Sequence, residues 1–138
     1  MGVIQIQLAS PQLRGHARLF AETVRSLLQA LVMVNRIALR SDKRIPPLYR
    51  SGCRYKREPS GQETFRDLYV ILHNKGGDCA HLCAWRVAEL QEAGENATIR
   101  VTWKTTRRGP RLFHVQVRRA NGKIEDPSRL LGMGREEG

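Results

Sequence analysis

Apolar residues at Leu13, Ala17, Phe20, Val24, Leu27, Leu28, Leu31 and Ile37 recur mostly at steps of three and four, with one step of six. That spacing lays a single apolar stripe along a helix ending near Arg40, with Ser10 and Pro11 as its N-cap and first residue. Its polar face carries Arg18, Glu22, Arg25 and Arg36, so the helix reads as one wall of a core. Ahead of it, Val3, Ile4, Ile6 and Leu8 alternate loosely, as in a short edge strand. Ile45-Pro46-Pro47-Leu48 stops any helix, and Tyr49 to Tyr55 reads as loop or extended chain. A second helix is expected from Gln62 to about Leu72, with Phe65, Leu68, Tyr69 and Leu72 on one side. His73 to Gly77 then reads as a loop.

Asp78 is a good N-cap, and Cys79 to Ala93 has the composition of a buried helix closed by Gly94. Leu82, Cys83, Val87 and Leu90 are expected inward, and His81 at the surface. Strict alternation follows. Ile99, Val101 and Trp103 share one face of a strand over 98–104; Phe113, Val115 and Val117 share one face of a strand over 112–118, with His114, Gln116 and Arg118 opposite. Asn121-Gly122 signals a hairpin, and Lys123 to Asp126 is the return strand, closed by Pro127. The register is open. A two-residue loop pairs Asp126 with Val117 and turns it away from His114, whereas a three-residue loop with Gly122 left-handed pairs Asp126 with Gln116, on the face of His114.

The elements amount to an α+β domain with helices in front and an antiparallel sheet behind. The 138 residues, 41% hydrophobic, suffice for one core without metal or disulfide staples. The three cysteines are an odd count, and no charged start runs into an apolar stretch and cleavage site, so an intracellular, cytoplasmic protein is expected. The longest aliphatic run, Ala30 to Val34, is too short to span a membrane. Net charge is +11, and nineteen of the 24 basic residues are arginine. Residues 1–57 hold eleven basic against two acidic groups and residues 99–138 ten against four, while 58–98 are acidic on balance. An anionic partner, nucleic acid or acidic protein, fits that distribution; so does a plain solvated surface.

One chemistry draws the segments together. Cys79 falls in the first turn of a helix, where unpaired backbone donors and the helix dipole favour a thiolate. His114 supplies a base and Asp126 a group to orient it, in the order nucleophile, base, orienter. Gly77-Asp78-Cys79-Ala80-His81-Leu82-Cys83, Phe113-His114-Val115 and Ile124-Glu125-Asp126-Pro127 together resemble the transglutaminase-like superfamily of papain-related cysteine enzymes, over about residues 52–131. The run from Tyr55-Lys56-Arg57-Glu58-Pro59 through that helix is also similar to short members encoded in tailed-phage genomes, which implies host cytoplasm or virion as location.

The resemblance implies a papain-like fold with the nucleophile helix packed on an antiparallel sheet. Residues 1–50 then form an N-terminal helical segment, 51–131 the catalytic core and 132–138 a flexible tail. It implies Cys79 as nucleophile, His114 as general base and acid, Asp126 as orienter, no cofactor, and a peptide or protein substrate cleaved through a thioester. The Cys79 N–H serves as one oxyanion donor; Tyr55, Gln62 and Asn74 are candidates for the second. Water as acyl acceptor makes the protein a peptidase or amidase, an amine makes it a transglutaminase. The chain departs from the family pattern at Gln116, where an aromatic is common, and at Cys83. Two other readings stand beside this one: a zinc site on Cys79 and Cys83 with His81, Cys53 or His114, and an inactive module of the same fold serving virion assembly or nucleic-acid binding.

Overall fold

The apolar stripe of the first helix forms as a long amphipathic rod. In the computed structural model, which describes residues 4–7, 15–58, 64–104 and 112–134, helix α1 runs Ala17–Ser41 and buries Ala21, Val24, Leu28, Leu31, Val32 and Asn35. Ser10 and Pro11 lie outside the described residues, and α1 begins later, after His16. Ile37, at the end of the six-residue step, faces solvent at 63% exposure, because a step of six leaves the stripe that threes and fours define. Residues 4–7 are irregular and exposed rather than an edge strand. No helix among the described residues is long and apolar enough to cross a membrane.

After a 3₁₀ turn at Leu48–Arg50, strand β1 (Arg54–Tyr55) pairs in parallel with β2 (Gly76–Gly77), a segment the sequence suggests is loop. Between them, α2 occupies Leu68–Asn74, shorter and later than expected. Asp67 sets its start by accepting the Val70 N–H at 3.1 Å, and Lys75 closes it in the left-handed conformation at φ 60°. Leu68 and Ile71 turn inward while Tyr69 stays 46% exposed.

Helix α3 (Cys79–Glu92) is the hub. It is buried on more than one side, which explains its weak amphipathicity. On one side Ala84, Val87 and Ala88 join Val24, Leu28 and Leu31 of α1; on the other, Leu82 and Trp85 join Leu48, Cys53, Leu68 and Ile71. Arg36 and Arg40 of α1 both pair with Glu92, the latter at 2.6 Å, bolting the two helices at one end.

The sheet is antiparallel in the order β3 (Thr98–Lys104), β4 (Leu112–Arg118), β5 (Ile124–Glu125). Ile99, Val115 and Val117 are buried against the helices. The hairpin closes with a three-residue loop: Arg119 N–H donates to the Lys123 carbonyl at 2.8 Å, Gly122 sits at φ 87°, and Val117 pairs with Glu125. The chain then turns into the short helix α4 (Pro127–Leu130), with Asp126 as its N-cap and Pro127 in the first turn. Of the segment 132–138, residues 132–134 form a turn in which Met133 N–H reaches the Ser128 carbonyl at 2.8 Å; the rest lies outside the described residues.

Candidate active site

The start of α3 is built by close approach. A Cβ on Gly77 would come within 2.7 Å of Ile71 Cδ1 and 2.9 Å of His81 Cβ, and one on Gly76 within 2.3 Å of the Arg54 carbonyl oxygen, so only glycine fits this pair. Asp78 accepts the His81 N–H at 3.1 Å, and His81 Nδ1 accepts the Asp78 N–H at 3.2 Å, a capping box with histidine in the place of the usual Glu or Gln.

His81 is therefore not at the surface: it is fully buried. Its ring folds back over the helix start instead of pointing outward, and Nε2 lies 2.9 Å from the Thr64 carbonyl. Position N3 of the helix was the available signal. Burial pushes the Asp78 carboxyl above its ordinary range, although His81 pulls it the other way.

Glu58, Asp78 and His81 bring ligand-type atoms within 4.8 Å of one another, the only such cluster among the described residues. Its chemistry fits a hydrogen-bonded cap better than a metal site. The Nδ1 lone pair that a metal needs accepts the Asp78 N–H, and Glu58 is engaged by Arg66 at 2.5 Å and by the Thr64 hydroxyl at 3.1 Å. The zinc set suggested by the sequence is not gathered. Cys53 belongs to the cluster on the other side of α3, with its thiol 3.6 Å from the Ile71 carbonyl, and Cys83 points its thiol at the Val115 carbonyl at 3.3 Å.

Cys79 stands half-buried in the first turn of α3 and packs against the core cluster that includes Val115. One turn on, on the same helix face, Cys83 touches β4 at the residue after His114. Burial pushes the Cys83 thiol well up, and negative charge at Cys79, Asp126, Asp78 and Glu125 pushes the same way. Cys79 and Asp126 thus lie within electrostatic reach of one buried thiol, and Cys83 itself is a core residue.

His114 and Asp126 meet directly. The three-residue loop carries Asp126 to the face of His114, and His114 Nε2 lies 2.8 Å from Asp126 Oδ2. The same oxygen accepts the Gln116 amide N–H at 3.1 Å, while Oδ1 accepts the Arg129 backbone N–H at 3.3 Å. Burial works upward on this carboxyl, but the hydrogen bonds from His114, Gln116 and Arg129 hold it below its ordinary value. An acid held ionised beside an imidazole can fix the tautomer, leaving Nδ1 for a proton in transit.

Strand β5, which leads directly into Asp126, is tied down by groups the sequence did not single out. Glu125 accepts from Arg86 Nε at 2.6 Å and from Arg119 at 2.8 Å, and it also takes the Tyr49 hydroxyl. Arg119 reaches on to Glu95 at 2.5 Å, and Arg86 lies 5.0 Å over the Tyr49 ring. Burial and the Glu125 contact push the Tyr49 hydroxyl upward, which keeps it a donor.

Of the oxyanion candidates, Tyr55 pairs with Gly77, two residues before Cys79, and so lies along the approach to the helix start. Asn74 is exposed at the last position of α2, and Gln62 is outside the described residues. A concavity of about 480 Å³ is lined by the hairpin and α4; it touches Asp126 but neither Cys79 nor His114. Comparisons of the chain with protein-family models, with curated proteins and with solved structures return no match.

Proposed function

We propose that this α+β domain is a papain/transglutaminase-like cysteine hydrolase, a peptidase or amidase working through a thioester on Cys79. The observation that carries the reading is the 2.8 Å pair between His114 on β4 and Asp126 at the cap of α4, beside a capped helix whose first residue is cysteine. His114 uses Nε2 for Asp126, which leaves Nδ1 for the thiol.

In the proposed cycle, the Cys79 thiolate forms a bond to an amide carbonyl carbon, and the carbonyl electron pair moves to oxygen. Backbone N–H groups at the start of α3 stabilise that oxyanion. Collapse breaks the C–N bond, and the His114 imidazolium gives its proton to the departing amine. Neutral His114 then takes a proton from water as the hydroxyl oxygen attacks the thioester carbon. The C–S bond breaks and the thiolate returns. An amine in place of water would give transamidation by the same steps.

A second reading, the same fold kept as an inactive binding module, is favoured by one feature. A groove of about 220 Å³ between α1 and β3 is lined by Arg18, Arg25, Arg100 and Arg118 against a single acid, Glu22, with Trp103 41% exposed at its rim. It suits a phosphate-bearing strand.

Iodoacetamide labelling of each cysteine from about pH 4 to 9, read by mass spectrometry on the native protein and on His114→Ala, separates the two. Fast labelling of Cys79 with a midpoint well below that of a free thiol, lost in the variant, supports the hydrolase. Labelling of Cys79 at the pace of Cys53 and Cys83 rejects it and turns attention to salt-dependent nucleic-acid binding.

A further inference from the structure

Gln116 stands where the family pattern carries an aromatic, and the mechanism above gives it no work. Its surroundings do. Arg100, directly across on β3, donates to Gln116 Oε1. A guanidinium can only donate, so the amide oxygen must face Arg100 and the amide N–H₂ must face the other way, toward Asp126 Oδ2 at 3.1 Å. The carboxylate is then gripped from two elements: Oδ1 by α4 through the Arg129 N–H, and Oδ2 by β4 through Gln116 and His114. Neither oxygen can rotate away without breaking a bond to a different part of the fold.

We propose that Gln116 is a positioning residue for the candidate triad: oriented by Arg100, it donates to Asp126 and holds the carboxylate in the place from which it orients His114. The proposal rests on the hydrolase reading for its purpose, though not for its test. The charged and titratable groups facing Asp126 are His114 on β4, Arg129 on α4 and Cys83 on α3, with Arg100 reached through Gln116 and Glu125 next to it in the chain on the opposite face. The lowered pKa of Asp126 agrees with Gln116 as one of its donors. A residue that merely fills the outer face of the sheet would leave that ionisation alone.

The experiment is a carbon-13 NMR titration of the Asp126 carboxyl in the wild type and in Gln116→Leu, Gln116→Glu and Arg100→Met. It is run beside the pH profile of Cys79 labelling. Gln116→Leu should raise the Asp126 midpoint by about one pH unit, a tenfold loss of acidity. Gln116→Glu, of nearly the same shape and still able to pair with Arg100, should raise it further, because it replaces a donor with a second carboxylate. Arg100→Met, which frees the amide to turn, should move it the same way by less, and it keeps the test alive if Gln116→Leu folds poorly. The acid limb of Cys79 labelling should climb with the Asp126 midpoint. An unchanged Asp126 titration in Gln116→Leu and Gln116→Glu, with only a lower melting temperature, overturns the proposal. Slow Cys79 labelling in the wild type together with a shifted Asp126 overturns the hydrolase reading, while leaving Gln116 as the group that holds the carboxylate.

Discussion

The two halves of the candidate site are assembled by different means. At the start of α3, Asp78 and His81 cap each other three residues apart, and the glycine pair before them lets the backbone close in on Arg54 and Ile71. At the hairpin, His114 and Asp126 are twelve residues apart and meet only because a loop of three residues sets their register and Glu125 is clamped by Arg86 and Arg119. The first half is local and short-ranged; the second depends on side chains arriving from α3 and from Arg119, just past the end of β4. A local cap survives small shifts in packing. A register held by ion pairs has further to fall.

The largest test of that contrast joins both halves. Cys79→Ala and His114→Ala should each lower turnover of any substrate found by at least about 10³-fold with unchanged circular dichroism, while Asp126→Ala should cost less, because an orienter contributes less than nucleophile or base. Full turnover by Cys79→Ala would sink the mechanism.

Next comes the packing beneath the two halves. Trp85 is fully buried among Leu48, Leu68 and Leu82, and Trp85→Ala should lower stability by about 3–5 kcal/mol in chemical denaturation. Gly77→Ala should cost about 1–3 kcal/mol, since its Cβ would crowd both Ile71 and His81. Equal stability of Gly77→Ala and wild type would show that the helix start is looser than the close approach implies.

A smaller effect distinguishes the halves by sign. Asp126 is held below the ordinary aspartate value of about 3.9, so its contribution is present above that value and is lost as pH falls through its folded value. Asp78 is raised by burial, so its contribution is fullest below the ordinary value and is lost as pH climbs through the folded one. In melting temperatures taken from pH 2 to 7, Asp126→Asn should flatten the acid-side fall, and Asp78→Asn should flatten the decline on the other side. The same slope change in both variants would contradict the contrast. Smallest of all, Arg119→Met should loosen Glu125 by about 1 kcal/mol or less, because that pair is partly open to solvent.

Much of this was readable before any fold was drawn. Helix α3, from its Asp78 cap to its Gly94 stop, follows from residues within one turn of each end, and the inward set Leu82, Cys83, Val87 and Leu90 is buried as the period requires. Strands β3 and β4 match their expected bounds end to end, but the inward alternation of β3 holds at Ile99 and is lost by Trp103, which is 41% exposed. Helix α2 was legible only as a helix: Asp67 caps it, yet Gln62 and Phe65 precede that cap, because an apolar residue at helical spacing can also come from the segment leading in. His81 was misjudged because a wheel diagram places a Cβ direction, whereas a ring at N3 can fold back to the backbone of its own cap.

By itself the sequence determined what nearest neighbours along the chain control: the period of each element, the caps of α3, and the order Cys79, His114, Asp126. Tertiary structure decided what depends on groups far apart in the chain. It chose the three-residue loop over the two-residue one, made Gly76–Gly77 a strand beside Arg54–Tyr55, and sealed His81 under Thr64. It also recruited Arg86, Arg119 and Gln116 around Glu125 and Asp126, where β5 passes into α4. The reason is energetic: both loops suit Asn121-Gly122 equally, so the choice between them falls to the burial of Val115 and Val117 and to the partners that Glu125 and Asp126 find only in the folded chain.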